Sequence, residues 1–215
     1  MDDSNTIFCS SKFPWARERI SSKFIDNLAR ALRNTRQPWH RSLVTTYRPV
    51  SLTSVVCKQM EHVLASYLRQ VWDKNDWLYE GQHGFRPGYS CESQVIAVCQ
   101  DIADSLDNGD KIDAIIVDFS KALDSVPHGR LLNKIANSGV DSRVVVWIRD
   151  FLLGRTQRVR VGGQLSAEVR VTSGVPQGSV IGPLLFLAYV SDIWRNMEST
   201  IILFADDCNL QKNYK

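Results

Sequence analysis

The chain has 215 residues, 44% of them hydrophobic and 23% charged, and this composition excludes global disorder and suits one large globular domain or two small ones. Its formal net charge of +3 fits a polyanionic partner but does not require one. Five scattered cysteines and four histidines show neither a disulfide framework nor zinc-ligand spacing, so we expect free thiols and a reducing compartment.

The N-terminal part of the chain is predicted to be mostly helical. Residues 15–36 repeat apolar positions at helical spacing, and the arginine-rich opposite face is either solvated or turned toward phosphates. Residues 52–72 predict a long helix with Thr53 or Ser54 as its N-cap. The expected buried stripe of this helix consists of Val56, Met60, Val63, Leu64, Tyr67 and Leu68.

The middle of the chain predicts a loop, a strand and three helices. Residues 81–90 are predicted to form a loop because they contain glycines and a proline. The apolar run at 114–117 predicts a short strand that ends on Asp118. The dipeptide Asn108-Gly109 ends the helix before this strand. The three helices are predicted at residues 93–106, 128–139 and 142–155.

The C-terminal part predicts a hairpin, a buried helix and a strand. Residues 157–171 alternate around a Gly-Gly turn, a hairpin pattern that puts Arg158 and Arg160 on one face. Residues 175–194 predict a turn and a buried helix. The apolar run of this helix is shorter than the roughly 20 residues that cross a bilayer, so we expect a soluble intracellular protein. Residues 199–210 predict a strand that turns at two aspartates. The irregular order of strands and helices favours an α+β sheet domain.

Two of the predicted strands end in aspartate, one at Asp118 and the other at the adjacent pair Asp206 and Asp207. Adjacent carboxylates cost free energy unless a positive charge lies beside them, and carboxylates that converge at one end of a sheet suit hard divalent cations such as Mg²⁺. Two such ions about 3.5–4 Å apart stabilise the attacking and leaving oxygens of a phosphoryl transfer. In the simpler interpretation, Asp118 caps a short helix and the other two aspartates are turn residues.

Five short motifs follow one another along the chain with regular gaps. They are YRPVSL at 47–52, GFRPGYS at 84–90, DFSKALDSV at 118–126, SGVPQGSVIGPLLF at 173–186 and FADD at 204–207. In this order they resemble the reverse transcriptase domain of non-LTR (LINE-type) retrotransposons of the jockey-like kind. The resemblance covers about residues 47–210 and therefore most of the chain.

The resemblance implies the fingers and palm of a right-hand polymerase, in which the palm is an antiparallel sheet with packed helices. It assigns residues 46–215 to the reverse transcriptase domain and leaves residues 1–45 as a basic helical segment of uncertain origin. The implied partners are an RNA template, a DNA primer and dNTPs, with two Mg²⁺ ions and no membrane. Because the chain ends eight residues after Asp207, we expect the domain to be truncated before the thumb and to lack the second strand of the FADD hairpin.

Carried over to this sequence, the family's metal ligands are Asp118 and Asp206. The resemblance adds the backbone carbonyl of Phe119 as an extra ligand, and Asp207 completes the carboxylate set. These residues would make the site a two-metal centre for nucleotidyl transfer, in which positioning and charge neutralisation provide most of the catalysis.

The resemblance also implies a set of residues that contact the incoming nucleotide: Arg86, Phe119, Lys121, Leu123, Gly174, Pro176, Gln177 and Gly178. Arg86 would meet the triphosphate, because a guanidinium binds phosphate oxygens in a bidentate manner. Lys121 is equally consistent with a solvated side chain or an ion pair, and Gln177 with an exposed position in a plain helix-initiating turn. Arg158 and Arg160 either face template or primer phosphates or are solvated.

Leu123 departs from the family's usual phenylalanine, whose ring stacks under the sugar and helps to exclude a 2′-hydroxyl. Because leucine lacks the flat ring, we predict weaker discrimination against ribonucleotides, or a copy that is decaying. Three functions are considered: an RNA-directed DNA polymerase, a catalytically inactive remnant that only binds nucleic acid, and, against the motif order, a different metal-dependent phosphotransferase.

Overall fold

The computed structural model of the chain describes residues 50–161 and 163–214. The predicted helix at 15–36 and the whole of the segment 1–45 lie outside the described residues. Each helix predicted within the described residues is confirmed, and a 3-10 turn lies at Leu123–Ser125. The helices are α1 (Val55–Lys74), α2 (Cys91–Asp107), α3 (His128–Ala136), α4 (Ser142–Leu152) and α5 (Gly182–Val190).

Serine side chains begin the first two helices. The Oγ of Ser54 accepts a hydrogen bond from the N–H of Cys57 at 3.1 Å, so Ser54 rather than Thr53 is the N-cap of α1. Ser90 and Ser93 form a reciprocal capping box at the start of α2. Both helices therefore begin where a local signal in the sequence provides partners for otherwise unpaired N–H groups.

The buried face of α1 differs from the predicted stripe. Three of the six predicted residues are exposed, namely Val56, Met60 and Val63. Leu68 is buried as predicted, and the helix also buries Glu61, Ala65 and Trp72 on the same face. The apolar pattern misses part of this face because its first member is a charged residue.

Glu61 is fully buried and accepts hydrogen bonds from the segment immediately before α5. Its Oε2 accepts from the hydroxyl of Ser179 at 2.7 Å and from the N–H groups of Val180 and Ile181 at 2.6 and 3.2 Å. Buried N–H groups need an acceptor, and a carboxylate near a helix N-terminus is also favoured by the helix dipole. Glu61 therefore joins α1 to the start of α5, and these donors offset the cost of burying its charge.

The main sheet is antiparallel and has the strand order β1-β7-β6, so β7 is its central strand. The prediction that the second strand of the FADD hairpin is missing is wrong, because a strand needs only about five or six residues. All eight residues of β7 pair with β1. The strands are β1 (Lys111–Asp118), β2 (Thr156–Gln157), β3 (Arg160–Val161), β4 (Gln164–Leu165), β5 (Val169–Arg170), β6 (Thr200–Phe204) and β7 (Asp207–Tyr214).

The predicted hairpin at 157–171 is confirmed, but it contains an irregularity. Gln157 pairs with Val169 and Arg160 pairs with Leu165, so two residues on the first strand oppose three on the second. An extra residue of this kind is a β-bulge, which interrupts the ladder and bends the strand. The hairpin is therefore divided into the two short pairs β2–β5 and β3–β4.

The helices and the sheet have separate apolar clusters, which together give the expected α+β architecture. Helices α1, α3, α4 and α5 share the largest cluster, with Trp72, Leu131, Ile148, Leu185 and Phe186 fully or almost fully buried. One face of the sheet packs against α2 through Val98, Ile102 and Ile202, and the other face buries Ile201, Leu203 and Cys208. None of the helices in the described part of the chain has the length and apolar character needed to cross a membrane.

The segment before α2 extends the sheet beyond the edge of β6. Gln82 forms a parallel bridge with Leu203, and the N–H of His83 donates to the Leu203 carbonyl at 2.8 Å. The hydroxyl of Tyr79 donates to the carbonyl of Ile201 at 2.7 Å. A sheet edge exposes unpaired backbone groups, and this segment supplies partners for them on β6.

Replacing Glu61 by alanine is expected to destabilise the protein by about 3 kcal/mol, because the change leaves buried donors before α5 without an acceptor. Glu61→Gln keeps an acceptor oxygen and should cost about 1 kcal/mol. Urea unfolding would measure both values, with Gln59→Ala as an exposed change on the same helix. Equal costs for the alanine and glutamine variants would contradict this role of the carboxylate.

Acidification is expected to destabilise the fold through His83. Burial, with a smaller contribution from the positive charge of Arg86, lowers the pKa of His83 below its usual 6.5. The unfolded chain therefore binds the proton more readily than the folded chain, so the stability that neutral His83 provides is present above about pH 6.5 and is lost as the pH falls. We expect the thermal midpoint to decrease from about pH 7 to about pH 5 more steeply in the wild type than in His83→Gln. Exposed His62→Gln controls for the loss of a histidine, and identical slopes for His83→Gln and the wild type would refute the expectation.

Candidate active site

The antiparallel register brings the three predicted aspartates to one end of the main sheet. Asp118 is the last residue of β1 and lies directly opposite Asp207, the first residue of β7. Side chains of directly opposed residues project from the same face. The N–H of Phe119 approaches the carbonyl oxygen of Asp206 at 3.5 Å, so Asp206 also lies beside the end of β1. No helix in the described residues begins with Asp118 as its cap.

Asp206 occupies a two-residue turn with an unusual backbone. Phe204 pairs with Asp207, which leaves Ala205 and Asp206 as the whole connection between β6 and β7. Ala205 has a φ of 55°, in the left-handed region that costs roughly 1–2 kcal/mol for a residue with a Cβ. The turn that presents Asp206 therefore needs support from its surroundings.

Gly174 and Val175 pack against the segment that follows β1. The N–H of Val175 donates to the carbonyl of Leu123 at 2.8 Å. Gly174 has a φ of 90°, and a Cβ at this position would lie 2.6 Å from the carbonyl oxygen of Asp124. Only glycine tolerates both this conformation and this close approach. The structure thus brings Leu123 together with the turn that was predicted to share its role.

The other end of this turn contacts a third motif. The N–H of Ser51, from YRPVSL, donates to the carbonyl of Gln177 at 2.8 Å. Gly178 has a φ of 93°, and a Cβ there would lie 3.1 Å from the Ser51 carbonyl oxygen. Pro176 and Gln177 are half-buried rather than exposed. The segments 50–52, 123–126 and 173–178 therefore form one connected surface.

Arg86 is anchored to the segment that extends the sheet. Its Nη1 donates to the carbonyl of Tyr79 at 2.9 Å, and its guanidinium carbon lies 4.7 Å from the centre of the Tyr89 ring. The cation–π contact and the hydrogen bond orient the planar guanidinium. Arg86 is half-buried in this position.

The other basic candidates differ in how their side chains are engaged. Arg158 forms an ion pair with Glu168 across the bulged hairpin, with an N···O distance of 2.8 Å. Lys121 and Arg160 are exposed, and neither forms an ion pair with any residue of 50–161 or 163–214. An exposed cation is available to phosphates at little desolvation cost, whereas Arg158 would first have to leave Glu168.

The donor atoms at this end of the sheet suit a hard cation. Asp118 and Asp207 face each other, and like charges directly opposite on neighbouring strands are destabilising unless a cation lies near them. Neither Asp118 nor Asp206 forms an ion pair within the described residues. No group of three or more His, Cys, Asp or Glu side chains in that part of the chain is gathered closely enough to hold a metal alone. This arrangement fits Mg²⁺, which usually binds one or two carboxylates together with substrate phosphates.

The thiol next to this site is not a candidate ligand. Cys208 follows Asp207 on β7 and therefore points to the opposite face of the sheet, where it is buried. Burial raises the pKa of the Cys208 thiol. The thiol is then protonated near neutral pH, whereas metal binding requires the thiolate.

Sequence reasoning missed three buried polar residues that support the site: Glu61, Gln82 and His128. The Nε2 of His128 is hydrogen-bonded to the carbonyl oxygen of Gly174 at 2.8 Å and so holds the glycine turn. Each of the three lies within or beside a predicted helix or motif. The general rule that a buried polar side chain needs a partner is the signal that could have drawn attention to them.

Comparisons with known proteins agree with the motif order. Residues 35–213 match the family described as "Reverse transcriptase (RNA-dependent DNA polymerase)". Similar proteins of Drosophila melanogaster include the probable RNA-directed DNA polymerase from transposon BS (32% identity over 69% of this chain), that from transposon X-element (31%, 75%) and the RNA-directed DNA polymerase from mobile element jockey (31%, 70%). This chain spans only 16 to 18% of the length of those relatives.

Among solved structures, the chain is partly similar to telomerase from Candida albicans in complex with a TWJ fragment of telomeric RNA. The similarity covers 90% of this chain and 33% of the telomerase chain, with 13% identity and a TM-score of 0.46. The family match extends over more than half of the chain, and the Drosophila relatives confirm the jockey-like resemblance. The chain belongs to the reverse transcriptase (RNA-dependent DNA polymerase) family, as the order of its motifs predicted.

Proposed function

We propose that this chain holds a polymerase active site, which adds dNTPs to the 3′-hydroxyl of a DNA primer on an RNA template. One observation supports this function above all: Asp118 lies opposite Asp207, with Asp206 beside them, at one end of the main sheet. Asp118 is far in sequence from Asp206 and Asp207, and all three lie within the residues that match the family. The main sheet would be the palm of a right-hand polymerase, and Arg86 would belong to the fingers.

The metal-binding role falls to the oxygen donors at this sheet end. Asp118 and Asp206 would hold two Mg²⁺ ions with the Phe119 carbonyl, and Asp207 would complete the negative charge of the site. When bound, the ions would neutralise charge on the reacting phosphate. The exposed position of Asp118 supports this role, because substrate phosphates must reach the same ions.

The residues around Leu123 would form the nucleotide pocket. Gly174, Pro176, Gln177 and Gly178 would line it with backbone, and the two positive-φ glycines support this role because they let backbone approach a ligand closely. Arg86, oriented by Tyr79 and Tyr89, would bind the triphosphate. Exposed Lys121 is a further phosphate contact in this proposal.

A second candidate function is binding of nucleic acid without catalysis. It is favoured by the exposed cations Lys121 and Arg160, which can bind phosphates without a metal. In this alternative the net positive charge still attracts nucleic acid, but the carboxylates do not assemble a working metal site. The two candidates differ in one measurable property, which is turnover that depends on Asp206.

Asp206→Asn is expected to lower the rate of primer extension by about 100-fold, because the change removes a negative charge that would bind the Mg²⁺ ions. The assay would use a primed RNA template, Mg²⁺ and the four dNTPs. Asp113→Asn is the matched control, because it makes the same chemical change at an exposed position nearer the other end of β1.

Two results would contradict the polymerase assignment. Extension by Asp206→Asn at the wild-type rate would remove this residue from the reaction. No extension by any variant, together with retained binding of the RNA–DNA duplex, would support the second candidate instead.

Leu123→Phe is expected to raise the preference for dNTPs over rNTPs by about tenfold, because an aromatic ring below the sugar leaves less room for a 2′-hydroxyl. The preference is measured as the ratio of kcat/KM for a dNTP and the matching rNTP. Leu132→Phe is the control, since Leu132 is also half-buried against the helical cluster. An unchanged ratio in Leu123→Phe would show that this position does not discriminate between the sugars.

A further inference from the structure

The side chain of Gln82 connects the GFRPGYS loop to the turn that presents Asp206. Its Oε1 accepts hydrogen bonds from the N–H of Gly84 at 2.7 Å and from the N–H of Ala205 at 2.8 Å. Its Nε2 donates to the carbonyl of Ala205 at 3.3 Å. One amide group therefore binds both backbone groups of the residue that immediately precedes Asp206.

Gln82 is itself held in place on both sides. It is 97% buried, being only 3% exposed, and its backbone forms a bridge to Leu203 on β6. A Cβ on Gly84 would lie 2.2 Å from the nitrogen of Ala205, so the two backbones are in direct contact. The glutamine amide is thus enclosed between the loop and the turn, where its hydrogen bonds are protected from water.

The turn requires such a partner because of its own conformation. Ala205 has a φ of 55°, which an L-residue with a Cβ adopts reluctantly, and neither residue of the two-residue turn is glycine. Without the hydrogen bonds from Gln82, Ala205 would be free to return to ordinary backbone angles. That change would rotate the next residue, Asp206, away from Asp118.

We propose that Gln82 is a positioning residue, which clamps the Ala205–Asp206 turn and so holds Asp206 beside Asp118. The inference rests on the proposed function, because the clamp contributes to catalysis only if Asp206 binds metal. Gln82 also lies four residues before Arg86, in the same anchored segment. Through these hydrogen bonds, Gln82 connects the segment that carries Arg86 to the turn that carries Asp206.

The first experiment tests the clamp without any reaction. Gln82→Met replaces the amide by an apolar side chain of similar length, so the N–H groups of Ala205 and Gly84 lose their acceptor. We expect their hydrogen exchange to become about tenfold faster or more, measured by NMR or by mass spectrometry of peptides that cover 83–85 and 203–207. The control is Gln211→Met on β7, since Gln211 is equally buried in the same sheet and its Nε2 has no hydrogen-bond partner among the residues that the structure describes.

The second experiment tests the positioning role. In primer extension, Gln82→Met should raise the Mg²⁺ concentration for half-maximal rate by about tenfold, whereas Gln211→Met should leave it unchanged. If the variant only reduced the amount of folded protein, the maximal rate would fall, but the Mg²⁺ concentration that gives half of that rate would not change. Ala205→Gly removes the backbone strain in the turn. Gln82→Met should therefore weaken Mg²⁺ binding less in the Ala205→Gly variant than in the wild type. The Ala205→Gly background also replaces the single variant if Gln82→Met does not fold.

The outcomes separate this inference from the function on which it rests. Unchanged exchange at Ala205 and Gly84 overturns the clamp. Faster exchange with the same Mg²⁺ dependence as Gln211→Met overturns the positioning role. Absence of extension by the wild-type chain overturns the proposed function and the catalytic part of this inference, while the exchange result still decides whether Gln82 holds the turn.

Discussion

The pairing of β1 with β7 is the contact on which the candidate site depends, because it alone sets Asp118 opposite the aspartates of the FADD motif. The strands belong to distant parts of the chain, and a slip of one residue would turn Asp118 to the other face of the sheet. Two carboxylates directly opposite each other oppose this register electrostatically. The remaining pairs of the eight-residue ladder and the β6 hairpin must therefore outweigh that repulsion, and a bound cation would remove it.

Two buried side chains show how the fold supports irregular backbone near this site. Glu61 accepts from the segment before α5, and Gln82 accepts from the turn before Asp206. In both cases a side-chain oxygen replaces the carbonyl that a helix or a ladder would have supplied. Segments that approach a ligand closely cannot be fully regular, and their backbone groups need partners of this kind. The same requirement explains His128, which holds the carbonyl of Gly174.

The sequence predicted the helices well because their signals are local. The Ser54 cap, the apolar periodicity and the Asn108-Gly109 stop all lie within a few residues of the features that they determine. The buried face of α1 was predicted only in part. Leu68 is buried as expected, but hydrophobic periodicity assigns a charged residue such as Glu61 to the solvent side. The missing hairpin strand was a second error, since it was inferred from the few residues that follow Asp207, and these residues suffice to form β7 between β1 and β6.

The sequence by itself determined the family, the kinds of secondary structure and the aspartates that a polymerase site would use. Each motif and each periodic pattern consists of residues that are close together in the sequence, and the order of the motifs is visible along the chain. Only the tertiary structure decided the register that joins Asp118 to Asp207, the burial of Glu61 and the contacts of Gln82 with Ala205. These features depend on residues that are far apart in the chain. Whether a buried polar group is satisfied, and which partner satisfies it, is determined only when the distant segments have packed together.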